Sequence, residues 1–325
     1  MNAKVPAPAA DPSSTRRWRS RALRNLLEMG HCAPTVMRTL LDLEGSDAVW
    51  PVLLVAGLPG GIGNTRAECG GVTASVALLG LQTRAKPGHS GLPLVFHQGQ
   101  QLCARFSECH GSLSCRDILG DRRVPLPCVK VVRRAPELYS AVASSEPGEA
   151  MEPDRLRAYA RSYRHFAESE FHCAHAVLRQ LPPSVPVPDE LLGATSGFLG
   201  GTLLSGMTCS ALTAGVMAVG LALGKVEHSR ARVARLLARM VLGGDAFDDS
   251  LNEFNRIMNI GHRMARWFSD EFGSTQCRAI TEVDFSSPAG VARYVASDSI
   301  AHCRGIALAV AGEVRRTLAT RGAAA

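Results

Sequence analysis

The chain has 325 residues, a formal net charge of +7, 5% aromatic residues and ten cysteines. Such a length suits two domains of about 150 residues, each large enough to bury its own core. The positive charge comes from scattered arginines with no interleaved aromatics and no nucleic-acid-binding motif, which argues against nucleic acid as a partner and for a solvated basic surface.

Residues 1–19 read as a disordered basic N-terminal tail, Ala- and Pro-rich without apolar periodicity as far as residue 15. Ser14-Thr15-Arg16-Arg17-Trp18 has the outline of a twin-arginine export signal, but Arg19, Arg21, Arg24 and Glu28 stand where its apolar stretch would have to be. The expectation is a cytoplasmic protein. In that compartment thiols stay reduced, so ten cysteines point to reactivity or ligation and not to structural disulfides.

Leu23, Leu26, Leu27, Ala33, Val36, Met37, Leu40 and Leu41 follow a helical period, with Gly30 and Pro34 breaking or kinking it beside Cys32. A short apolar helix over 49–56 leads into a glycine-rich turn and then a helix of small residues. Thr65-Arg66-Ala67-Glu68 has capping-box spacing, which predicts Thr65 as N-cap and places Cys69 in the first turn. There the helix dipole and free amides lower a thiol pKa. Ser205 stands at the same distance before Cys209. Gly70, Gly71 and Ala74, like Ser210, Ala211 and Ala214, read as a surface for close helix packing.

A helix over 93–108 follows, then a turn at Gly111-Ser112 before Cys115, and a last helix starting at Cys128. Residues 144–153, polar and punctuated by Pro147, Gly148 and Pro153, read as a linker. Beyond it, Leu156, Tyr163, Phe166, Cys173, Val177 and Leu181 predict one long amphipathic helix ending at Pro182-Pro183. Arg230, Arg232, Arg235 and Arg239 among Val233, Leu236, Leu237 and Met240 predict an additional amphipathic helix with a basic face. Residues 191–224 carry no charge and are long enough to cross a bilayer. Against a membrane span stand Gly197, Gly200 and Gly201, and the Arg66 and Glu68 of the equivalent stretch in the first half.

That equivalence is an internal duplication. Residues 57–81 align without a gap onto 197–221, matching Gly57 with Gly197, Gly60 with Gly200, Gly61 with Gly201, Cys69 with Cys209, Thr73 with Thr213 and Gly80 with Gly220. His31-Cys32-Ala33 returns as His172-Cys173-Ala174, and Phe106-Ser107-Glu108 with Cys115-Arg116 returns as Phe268-Ser269-Asp270 with Cys277-Arg278. Cys128 and Cys303 lie in a last helix of each half, and Cys103 and Cys109 have no counterpart. The expected fold is all-α, in two tandem pseudo-symmetric helical modules packed as an internal pseudo-dimer. Their expected limits are 1–19 for the tail, 20–143 for the first module, 144–153 for the linker and 154–325 for the second module.

The order of a first cysteine, a glycine-rich turn with a cysteine and small residues, a Phe-containing helix leading to Cys-Arg, and a final cysteine resembles the C_GCAxxG_C_C family. The resemblance rests on Cys32, Cys69, Cys115 and Cys128 in one module and on Cys173, Cys209, Cys277 and Cys303 in the other. It implies a redox-active protein working with a redox partner protein. The chain departs from the pattern at Ala74-Ser75, while the second module keeps Gly215 and places Ser210 directly after its cysteine. The family is also similar to a module of split-Soret cytochromes, yet no Cys-x-x-Cys-His occurs, so no c-type haem is expected.

The residues leave three readings open. In thiol exchange, a cysteine such as Cys69 attacks a disulfide and a second one resolves it. In ligation, the four thiolates of a module hold an iron-sulfur cluster or zinc. In the third, the cysteines are buried and inert in a helical interaction protein. The first two readings require the cysteines of each module to converge. His31 and His172 are candidate thiolate partners, ligands or polar caps.

Overall fold

The computed structural model describes residues 12–83, 91–121, 126–143, 153–183, 185, 187, 189–226, 229–242 and 246–322. Among these residues it is helical without a strand. The first module comprises α1 (Pro12–Met29), α2 (Cys32–Leu43), α3 (Trp50–Leu54), α4 (Gly70–Thr83), α5 (Gly91–His110), α6 (Cys115–Leu119) and α7 (Leu126–Ala143). The second comprises α8 (Pro153–Glu168), α9 (Cys173–Leu178), α10 (Asp189–Thr195), α11 (Ser210–Leu223), α12 (Arg230–Leu242), α13 (Glu253–Phe272), α14 (Cys277–Thr281), α15 (Pro288–Ala296) and α16 (Ser299–Gly322).

Several expectations change at the level of local structure. Helix α1 begins at Pro12, so residues 12–19 are helical and Arg19 pairs with Glu137 of α7 at 2.5 Å. Residues 1–11 of the expected tail and 144–152 of the expected linker lie outside the described residues. The single long helix expected over 156–181 is two, α8 and α9, because Glu170 takes a left-handed φ of +47° that no α-helix can continue through. The first module breaks at the same place with Gly30 at φ +76°. The capping box is absent: Thr65 Oγ1 donates to Gly61 O inside the turn, and α4 starts only at Gly70. No helix among the described residues is long and apolar enough to cross a membrane.

Helices α4 and α11 form the centre, buried on all sides from Gly70 to Gly80 and from Ser210 to Gly220. Their small residues admit the other module. A Cβ on Gly80 would lie 2.2 Å from Gly193 O of α10, and one on Gly220 would lie 2.4 Å from Leu53 O of α3. A Cβ on Gly57 would meet Val216 at 2.5 Å or less, at 2.4 Å, and one on Gly197 would meet Val76 at 2.5 Å. These pairs are reciprocal, each contact in one module repeated by the equivalent residues of the other, as across a two-fold interface. The helix before each glycine turn therefore packs on the central helix of the opposite module.

Glu68 lies where the two turns meet. Its buried carboxylate accepts from Thr208 N at 2.7 Å, from Thr208 Oγ1 and from Thr202 Oγ1 at 3.4 Å. In the gapless alignment Thr208 is the counterpart of Glu68 itself. Burial, outweighing these hydrogen bonds, pushes the Glu68 pKa up.

Two helices of the second module, α12 and α15, have no counterpart among the described residues of the first. Helix α12 packs over the end of α1: Leu236 and Val233 close over Gly30 and Arg230 meets Glu28 at 3.3 Å, while Asn252, the N-cap of α13, donates Nδ2 to Met29 O at 3.0 Å.

Candidate functional site

Each module delivers four cysteines from four different elements. Cys32 opens α2, Cys69 directly precedes α4, Cys115 opens α6 and Cys128 lies in the first turn of α7. Correspondingly, Cys173 opens α9, Cys209 is the N-cap of α11, Cys277 opens α14 and Cys303 lies near the start of α16. The structure brings Cys32, Cys69, Cys115 and Cys128 to one cavity of about 530 Å³. Cys173, Cys209, Cys277 and Cys303 converge on another, of about 20 Å³. All ten cysteines are free thiols.

The same backbone clamp sets the second and third cysteine of each module. Cys69 N donates to Leu113 O at 2.8 Å and Cys115 N to Ala67 O at 2.7 Å, around an antiparallel bridge between Glu68 and Ser114. In the second module Cys209 N donates to Thr275 O at 2.8 Å and Cys277 N to Met207 O at 2.6 Å, around a bridge between Thr208 and Gln276. Residues alternate in direction along such a bridge, so Glu68 turns away from the cavity that its neighbour Cys69 lines. The first cysteine fits against the central helix because Gly70 leaves room: a Cβ there would lie 2.8 Å from Cys32 Sγ.

The glycine turns that precede the clamp share an unusual backbone. Residues 60, 61, 63, 64 and 66 take left-handed φ values, and so do their equivalents 200, 201, 203, 204 and 206. Most are glycines in one module or both, since a left-handed residue with a side chain is sterically strained.

The expected lowering of the Cys69 pKa is overturned. Burial raises it well above the ordinary thiol value, the neighbouring Cys32, Cys115 and Cys128 raise it further, and the N–H of Gly71 at the helix start does not compensate. Burial and then Cys32 push Cys115 and Cys128 up to about 12, and burial and then Cys209 do the same to Cys303. Cys173 and Cys277 rise well above the ordinary value for the same reasons, and Cys32 and Cys209 are raised by burial. Helix-terminus dipoles act on these thiols, but the loss of water acts more strongly.

Neither histidine partners a thiol by hydrogen bond. His31 Nε2 pairs with Asn255 Oδ1 at 2.7 Å, and His172 Nε2 with Ser196 O at 3.0 Å. Burial lowers both to about 4, so both are neutral. Tyr294 donates its hydroxyl toward Cys303 Sγ at 3.9 Å, a contact from α15 that no motif announces. Cys103 and Cys109 are half-buried on α5 and line neither cysteine cavity. A further cavity of about 660 Å³ lies beside α8, α9 and α16 and touches no cysteine. Among the described residues, no group of three or more His, Cys, Asp and Glu side chains is placed to hold a metal ion.

The family model described as "Putative redox-active protein (C_GCAxxG_C_C)" matches the chain twice, over residues 30–142 and 171–316. The chain belongs to this family. No curated protein and no solved structure matches it. In this tandem C_GCAxxG_C_C protein each family match contains one complete set of four converging cysteines, and the two matches interlock through α3, α10 and the central helices.

Proposed function

We propose that the protein is redox-active through its cysteines, by thiol–disulfide exchange inside the four-cysteine cavities. Two thiols of one cluster become a disulfide, releasing two protons and two electrons to a small disulfide or a partner protein, and the reverse step restores them. The observation that carries this reading is the convergence of four free cysteines from four separate elements on one cavity, twice over. In the first module Cys32 Sγ lies against the start of the central helix, 2.8 Å from where a Cβ on Gly70 would stand, and Gly70 follows Cys69 directly in the chain. We assign the redox pair to Cys32 and Cys69.

Ligation is the second reading, favoured by four sulfurs per module. Iron-sulfur or zinc binding would supply a positive centre that deprotonates buried thiols which otherwise stay protonated. The described side chains are not placed to hold a metal ion, so the sulfurs would have to move together to ligate one.

The deciding experiment oxidises the reduced protein with a mild disulfide reagent and maps the peptides without reduction. A Cys32–Cys69 disulfide that disappears in Cys32→Ser is the expected result. A visible chromophore or stoichiometric metal in protein purified without oxygen, lost when any one of the four cysteines is replaced, would put ligation in its place.

A further inference from the structure

The two cysteine cavities share one backbone plan and differ in space and in charge. The first has about 530 Å³ and the second about 20 Å³. Part of the lining of the first comes from an element without a counterpart: Leu237 and Met240 of α12, with Ala246 and Phe247 beyond it, form an apolar wall of the space the cysteines line. A cavity of this size and composition suits a small organic molecule.

The difference in charge sits at one position of the clamp. Arg66 O accepts from Arg116 N at 3.2 Å, and Gly206 O accepts from Arg278 N at 2.8 Å, so Arg66 and Gly206 are equivalent. Both are left-handed, at φ +63° and +69°. Glycine adopts that conformation without a clash, whereas arginine pays a steric penalty there. Leu203 and Leu204 of the second turn carry a similar strain, but both are buried in the core, where apolar burial offsets it. Arg66 is only half-buried, its Nη1 donates to Gly120 O at 3.2 Å, and it lines the first cysteine cavity. Asp121, exposed at the rim, is the one carboxylate among the described residues of that lining.

We propose that the first cavity is the substrate site of the protein and takes small organic disulfides with an apolar body and a carboxylate, the carboxylate bound by Arg66 and the body by the α12 wall. The proposal rests on the thiol–disulfide reading. A cysteine thiolate of the first cluster attacks one substrate sulfur, the S–S bond breaks, and one small thiolate leaves a mixed disulfide behind. A second cysteine, as its thiolate, then displaces the other small thiolate and closes a protein disulfide. The protein loses two electrons, the substrate gains them, and the two cysteine protons end on the two released thiols. Among the described residues, the lining of the second cluster offers neither the space nor a cation for this reaction.

The test uses the full chain, reduced, with 5,5′-dithiobis(2-nitrobenzoate) as the carboxylate-bearing aromatic disulfide and 4,4′-dithiodipyridine as an uncharged one, the oxidised cysteines being located by peptide mass mapping. The carboxylate reagent is expected to oxidise the first cluster before the second. Arg66→Gly, the residue the second module already uses on this backbone, should slow that reaction by about tenfold, as loss of a charge contact does. With the uncharged reagent the variant loses only the help that Arg66 gives to the Cys115 thiolate, so the slowing there should be several-fold smaller than with the carboxylate reagent. Arg66→Lys should restore most of the rate. Equal oxidation of both clusters, an equal effect of Arg66→Gly on the two reagents, or Arg66→Lys as slow as Arg66→Gly would overturn the substrate site while leaving thiol exchange standing. Absence of any disulfide within a cluster with either reagent would overturn thiol exchange itself, and the site with it.

Discussion

Raising the pH should change the exchange rate of the cluster cysteines far more than that of an ordinary thiol. Cys115 and Cys128 are pushed from 9.0 up to about 12, so at pH 8 their thiolate is about a thousandfold scarcer than that of an unperturbed cysteine. A more basic thiolate is a better nucleophile, and a Brønsted slope of about 0.45 over three units returns about twentyfold. The net expectation is exchange with an uncharged small disulfide about fiftyfold slower than with an unhindered cysteine peptide, by the same principle. Because the thiols remain far from titration, the rate should climb about tenfold per pH unit from pH 7 to 11 without a plateau. Stopped-flow absorbance with 4,4′-dithiodipyridine reads the rate, and mass mapping confirms which cysteines reacted. A plateau below pH 9, or cluster thiols as fast as the peptide at pH 7, would refute the argument that burial governs their ionisation. On the proposed function, holding a substrate in the cavity would let such thiols react at neutral pH, since positioning raises the effective concentration of the reacting sulfur.

Further expectations concern the frame that holds the clusters. Gly80→Ala and Gly220→Ala each drive a Cβ into a backbone carbonyl of the opposite module, at 2.2 and 2.4 Å, and should each cost about 2–3 kcal/mol despite the better helix propensity of alanine; a thermal melt within a degree of the parent for either variant would contradict the interlocked arrangement. The Glu68 pKa is raised above 4.5, so its stabilising effect is fully present below pH 4.5 and is lost as the pH rises through the folded value. Glu68→Gln should flatten that part of the stability profile and be at least as stable as the parent at pH 8, as denaturant titrations at several pH values would show; an unchanged slope counts against it. His31 is held neutral at about 4 from an ordinary 6.5, so the stability it contributes is present above pH 6.5 and lost as the pH falls toward 4. His31→Gln should reduce the acid sensitivity of unfolding between these values, and an unaltered acid transition would show that another group sets it.

Much of this architecture is legible in the sequence because duplication writes it twice. The matched cysteines, the paired glycine turns and the helical period around Leu26, Val36 and Leu40 identify two helical modules and the eight residues that meet in two cavities. What the chain hides is long-range. Capping-box spacing at Thr65 and Glu68 is a local signal, and it fails because Glu68 finds better partners 140 residues away in Thr208. The helix-start argument for Cys69 names a real effect but not its competitor, since the sequence does not reveal that this thiol is buried among three more. Gly80 and Gly220 are visibly paired, yet only the structure shows that the backbone each admits belongs to the other module. The mismatch of Arg66 with Gly206 stands in the gapless alignment, and a positive φ at both positions is what gives it meaning.

The meeting of Glu68 with Thr208 shows what joining two copies in one chain permits. In a dimer of identical subunits, a residue on the symmetry axis can only face itself. Two glutamates there would crowd their carboxylates in a buried site, forcing them to share a proton, and two threonines would leave the buried amide N–H of each without the acceptor that Glu68 gives to Thr208. A donor opposite an acceptor is open only to halves that have become free to differ. The same freedom allows one half to carry Arg66 and be covered by α12 while the other keeps Gly206 and a closed cluster, so two copies of one cysteine site can hold different chemical duties within a single molecule.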